Sequence, residues 1–137
     1  RTIKVPHNLR AYDSFFIIVP AEFDLIREMF LTKFDELFGS KVSGRVFTVE
    51  QAKHAKTIVP SDKELFISFG GKNTLLGKHR WNIALPTKAD YGLMMAAGYY
   101  VIGNIQKQHP PYFKQNIERY CQEASRVFGE KMEIIVK

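Results

Sequence analysis

The spacing of apolar residues changes several times along the chain, and each change marks an element. Residues 14–19, "SFFIIV", form an unbroken apolar run, the pattern of a strand covered on both faces. Pro20 stops it. In the following "AEFDLIREMFLTKFDELFG", Phe23, Ile26, Phe30, Phe34 and Leu37 recur at helical spacing up to Gly39, which predicts a long helix with a glycine C-cap. Residues 44–49, "GRVFTV", predict a second strand, and Thr48 and Gln51 stand at capping-box spacing ahead of a short helix around "EQAKHAKTI". Residues 64–69, "ELFISF", are rich in aromatic and branched side chains and predict a third strand ended by Gly70 and Gly71. "WNIAL" at 81–85, closed by Pro86, is a candidate fourth strand, "TIKV" near the N-terminus a short edge strand, and "KMEIIV" at 131–136 a final one.

Two helices occupy the C-terminal half. The first, about 89–106, has Thr87 three residues ahead of Asp90 as its cap and is apolar nearly all round, which predicts burial on several sides. Gly92, Gly98 and Gly103 within it would each cost roughly 1 kcal/mol against alanine in an exposed helix. They predict close approach of another backbone, inside the core or across a homodimer contact through residues 91–105. Pro110 and Pro111 open the last helix, where a missing N–H is harmless. Phe113, Ile117, Tyr120, Ala124 and Val127 are its expected inner stripe, and Gly129 its end.

Strands alternating with helices predict a mostly parallel sheet, because a parallel connection needs a crossover. The expected fold is a single α/β domain over 1–137, three-layered and flavodoxin- or Rossmann-like, with a four- to five-stranded sheet. The alternative is an α+β domain with a mixed sheet, "WNIAL" pairing antiparallel with "ELFISF". Arg1 stands where a methionine would begin a gene product, so the expectation includes processing or excision from a longer chain.

Composition narrows the classes. Apolar residues make up 45% and charged residues 25% of the 137, which disfavours disorder and collagen-like repeats. The longest apolar run, "YGLMMAAGYYVIGNI", is interrupted by glycines and falls short of the ~20 residues that cross a bilayer, so no membrane partner is expected. Twenty Lys and Arg against fourteen Asp and Glu give +6, a basic excess that favours phosphate-bearing partners. The one cysteine, Cys121, excludes an internal disulfide, suits a cytoplasmic location, and falls on an apolar helix face as an inert thiol. His7, His54, His79 and His109 share no metal-ligand spacing, so no metal site is expected.

In an open parallel sheet, ligands sit beyond the carboxyl ends of the strands where strand order reverses. Two segments should meet there. In "VPAEFD", Pro20 hands the strand to a helix whose leading N–H groups favour an anion. In "FGGKNT", Gly70 and Gly71 let the backbone turn through positive φ and approach a ligand, while Lys72, Asn73 and Thr74 supply a charge, an amide and a hydroxyl. His79, Arg80 and Trp81 extend this basic, glycine-rich stretch with a protonatable ring, a guanidinium and a stacking surface. Glu22 is the candidate general base or ribose-hydroxyl acceptor. Neither GxxxxGK[ST] nor GxGxxG occurs.

The expected function is binding of a nucleotide or other phosphorylated small molecule at the strand ends. No cofactor or reaction follows from these residues. The alternative is a basic binding module for nucleic acid or a protein partner, with Lys72, Lys78, Arg80 and Lys88 as a stripe joined by Arg1, Lys4 and Arg10.

Overall fold

A computed structural model describes residues 2–134. Four strands, β1 (Ser14–Val19), β2 (Ser43–Thr48), β3 (Glu64–Phe69) and β4 (His79–Ile83), form one sheet in the order β2-β1-β3-β4, and every pairing is parallel. The helices are α1 (Arg27–Phe38), α2 (Val49–Ala52), α3 (Tyr91–Gln108) and α4 (Tyr112–Phe128). This is the expected α/β fold with an all-parallel sheet, and β4 excludes the mixed-sheet alternative. Residues 70–78 carry the chain back to the starting end of β3 without a helix, so Leu65 aligns with His79 and Phe69 with Ile83.

The continuous apolar runs became the central strands. β1 and β3 are buried along nearly their whole length, whereas β2 and β4 alternate as edge strands do. Phe15, Ile17 and Val19 of β1 join Leu65, Ile67 and Phe69 of β3 on one face, under Phe30, Phe34 and Phe38 of α1 and Met94, Val101 and Ile105 of α3. Each such side chain contributes about 1.5–3 kcal/mol on burial. The opposite face holds a smaller cluster of Phe16, Ile18, Ala52 and Phe66, flanked by Phe47 and Leu76.

Several local expectations are corrected. The long helix after Pro20 begins as a 3₁₀ segment, Ala21–Ile26, in which Phe23 leaves helical geometry, so the regular helix starts only at Arg27. Burying both Phe23 and Ile26 against the core bends this entry. Thr48 and Gln51 do form the reciprocal capping box, but α2 stops after one turn. Only Ala52 of its residues is buried, and Ala55 adopts φ +58°, so nothing drives the helix onward. Asp90, not Thr87, caps α3 by accepting a 2.8 Å hydrogen bond from the Leu93 amide.

Residues 2–5 are not a strand; Ile3 and Val5 pack on the core rim instead. Gln108 holds this N-terminal segment, its Nε2 donating to the Pro6 carbonyl and its Oε1 accepting from the Leu9 amide, both at 2.8 Å. Beside it, the buried His109 ring lies 2.8 Å from the carbonyls of Ile105 and Tyr12 through its two nitrogens. Of the final strand expected at 131–136, residues 131–134 have no regular structure and the rest lies outside the described residues.

The two C-terminal helices also depart from expectation. α3 is buried along one face only, leaving Tyr91, Leu93, Met95, Tyr99 and Tyr100 substantially exposed. α1 and the sheet cover one side of α3, and among the described residues no layer covers the other. Gly98 makes room for side chains rather than for another backbone, since a Cβ there would sit 2.9 Å from Met29 Cε and Phe30 Cζ, and Gly103 faces open space. α4 docks chiefly against the end of α1. Phe113 and Ile117 are half-buried and Ala124 is buried, while Tyr120 and Val127 of the expected inner stripe are exposed.

Candidate functional site

β1 connects to β2 on one side and β3 lies on the other, so strand order reverses between β1 and β3. The crevice beyond their carboxyl ends is the place where a doubly wound sheet takes a ligand. Pro20 and Gly70, the residues directly after these strands, meet there. Gly70 has φ +83°, and a Cβ on it would lie 3.2 Å from Pro20 Cγ and 3.6 Å from Leu85 Cδ1. Its amide donates to the Ile83 carbonyl at 2.8 Å, which anchors the turn to β4.

The two glycines differ. Gly70 alone has positive φ; Gly71 does not, and a Cβ on it would meet nothing. One left-handed residue suffices to turn the chain, after which the Gly71 amide donates to Phe69 and its carbonyl accepts from Ser68 Oγ at 2.9 Å. Lys72 and Thr74 are exposed and make no side-chain hydrogen bond or ion pair among the described residues. Glu22 is likewise exposed, on the 3₁₀ segment.

Asn73 has a structural task. Its Oδ1 accepts from the amides of Leu75 and Leu76, its Nδ2 donates to the Leu76 carbonyl, and its backbone exchanges hydrogen bonds with the Asn82 side chain. These bonds fold the loop into an Asx turn and tie it to β4. The amide expected to face a ligand is occupied.

His79, Arg80 and Trp81 are not brought to the crevice. His79 is level with Leu65, roughly 16 Å from Gly70 at 3.3 Å per residue. Its ring lies 5.5 Å from that of Tyr12. Arg80 turns to the thinly covered face and donates Nε to the Leu76 carbonyl. Trp81 is buried in the main core opposite Ile67. Lys78 pairs with Asp62 and holds that carboxyl below the usual carboxylate range, with His79 adding to the effect. Glu50, the other carboxylate at the strand ends, is similarly lowered by Lys53 one helical turn on.

A polar cluster that sequence reasoning did not anticipate lies on the thinly covered face. Glu64, buried at the start of β3, accepts from Arg45 Nη2 through both carboxylate oxygens at 3.0 Å and from Ser14 Oγ at 2.7 Å. The Arg45 guanidinium stacks 4.9 Å above the Phe16 ring. The available signal was a lone carboxylate opening an apolar strand and a lone arginine inside another, two positions that become neighbours only across β1.

Among the described residues, clefts open elsewhere. One of about 780 Å³ separates the end of α1 from α4 and is lined by Leu37, Phe38, Tyr112, Phe113, Ile117 and Tyr120. A second of about 550 Å³ lies between residues 57–64 and 75–78, over Phe66. The third, about 280 Å³, is bounded by Leu25, Met29, Tyr91 and Met95. Among the described residues no group of three or more His, Cys, Asp or Glu side chains could hold a metal, and no helix is long and apolar enough to cross a membrane. No protein-family model matches the chain, and the search of curated proteins found no match.

Proposed function

We propose that the chain binds a nucleotide or another phosphorylated small molecule at the carboxyl ends of β1 and β3. The observation that carries this reading is the meeting of Pro20 with the left-handed Gly70 at the point where strand order reverses. Gly70 turns the chain there with its open side packed on Pro20 and Leu85, and Lys72 and Thr74 follow it with an ammonium and a hydroxyl that have no other partner among the described residues. Glu22, on the segment that leaves β1, is the acceptor for a ribose hydroxyl. The chemistry identifies a ligand class and no reaction. The single cysteine, free and half-buried, suits a cytoplasmic setting.

Nucleic acid fits the geometry less well. Lys78 is paired with Asp62 at the amino ends of the strands, Arg80 faces the opposite side of the sheet from Trp81, and Lys72 lies beyond the carboxyl ends. Lys72, Lys78 and Arg80 of the expected stripe thus lie on three different surfaces, and Arg1 lies outside the described residues.

The test is calorimetric titration of pyrophosphate, adenosine monophosphate and a short oligonucleotide at two salt concentrations. A charge-assisted contact contributes roughly 1.5–3 kcal/mol, so Lys72→Ala should weaken mononucleotide binding about tenfold or more while Lys88→Ala changes it little. Gly70→Val should abolish binding with the fold monitored by thermal melting. Equal binding by both lysine variants, or oligonucleotide binding that falls steeply with salt and by similar steps for each basic residue, would replace this reading with the nucleic-acid module.

A further inference from the structure

We infer that α3 is the seam of a symmetric homodimer, in which the outward face of one copy lies antiparallel on the same face of a second. At 100° per residue, Gly92, Ala96, Tyr99 and Gly103 form the line opposite the buried Met94, Val101 and Ile105. The exposed Met95 and Tyr100 flank this line. No charged residue occurs from Tyr91 to Gln106, while Asp90 stands before this stretch and Lys107 after it. A water-facing helix ordinarily carries charges on that side.

The face is self-complementary under a two-fold axis. Antiparallel pairing centred between Ala97 and Gly98 sets Tyr99 of each copy over Ala96 of the other, with Gly92 facing Gly103 at the ends. The small residues provide the hollow into which the ring fits, and a Cβ at Gly103 would meet nothing within one copy. The same pairing brings Asp90 within reach of the flexible Lys107 of the second copy. Neither residue makes an ion pair within its own copy among the described residues.

On and beside this line Tyr99 and Tyr100 are 45% and 46% exposed and Leu93 and Met95 are each 40% exposed, an apolar surface that the same face of a second copy would cover. A closed two-fold contact also consumes the patch on both partners and leaves none to propagate.

Sedimentation equilibrium of the full chain from 1 to 100 µM tests the proposal. The expected result is a concentration-dependent shift to twice the chain mass. Ala96→Glu, at an exposed position that leaves the core untouched, should raise the dimer dissociation constant at least 100-fold, with the circular dichroism spectrum unchanged and the melting temperature equal to that of the wild type at concentrations where both are monomers. Lys107→Glu, which sets two acidic groups together, should weaken it several-fold, and added salt should shrink that difference. Val127→Glu, on the exposed side of α4, should leave the dimer intact. A wild-type monomer at 100 µM, an undiminished dimer in Ala96→Glu or Lys107→Glu, or a dimer lost in Val127→Glu but kept in Ala96→Glu would each overturn it.

Discussion

The two faces of the sheet are closed by different means. On one, α1 and α3 lay aromatic and aliphatic side chains over the strands: Phe30, Phe34, Met94, Val101 and Ile105 are all essentially inaccessible. On the other, one turn of helix and two loops surround Phe16, Phe47 and Phe66, and cations complete the cover. Arg45 stands over Phe16 at 4.9 Å, while Lys56 and Arg27 stand over Phe47 at 5.3 and 5.8 Å. Long basic side chains cover apolar rings with their stems while keeping their charges wet. A sheet can therefore be buried on both faces with a full helical layer on only one. The stability of this domain is concentrated on the first face, and the second is governed by a charge pair.

That difference is open to direct attack. The largest effect is expected from Phe30→Ala, which empties a fully buried position between α1 and β3, where its ring lies 5.8 Å from Phe69. A loss of about 3–5 kcal/mol should appear in urea unfolding. A loss below about 1 kcal/mol would mean that the helical layer is not the main support.

The thin face should respond through charge. Arg45→Ala leaves the Glu64 carboxylate buried with Ser14 as its remaining side-chain partner. Because the arginine side chain is 40% exposed, a loss of about 2 kcal/mol is expected rather than the ~3–5 of a fully buried pair. Removing both charges in Arg45→Met/Glu64→Leu should recover most of it, since the cost lies in the stranded carboxylate. A double variant as unstable as the single one would assign the loss to packing on Phe16.

The smallest effect should come from Lys78→Ala at the exposed pair with Asp62. The Asp62 carboxyl, now held below its ordinary range by Lys78 first and His79 less, should titrate closer to that range in a carboxyl-detected NMR experiment. The sign follows from the lowered value. The pair's contribution is present above the unfolded carboxylate pKa and is lost as pH falls through the lowered folded one. Because both groups are exposed, acid-unfolding curves of the variant and the wild type should nearly superimpose.

Much of the fold was legible locally because its causes are local. The apolar runs at Ser14 and Glu64 marked strands with both faces covered, and these became the centre of the sheet. The capping box at Thr48 and Gln51 needed only a three-residue spacing. The helical repeat through Phe30 and Phe34 marked the face that α1 buries. Pro20 and Gly70 lie beside each other because a parallel sheet sets its strand ends side by side.

Tertiary structure alone decided the rest. The direction of β4 depends on the path of residues 70–78, which no short pattern encodes, and that direction sent His79 to the far end of the sheet and Trp81 into the core. The Arg45–Glu64 pair joins residues 19 apart across an intervening strand. α3 and α4 depart from the expectation drawn from their patterns: the helix apolar all round buries one side, and Tyr120 and Val127 of the stripe expected on α4 stay exposed. Periodicity states which side of a helix avoids water. It does not state what stands beside that helix, because the neighbour comes from a distant stretch of chain or from a second molecule.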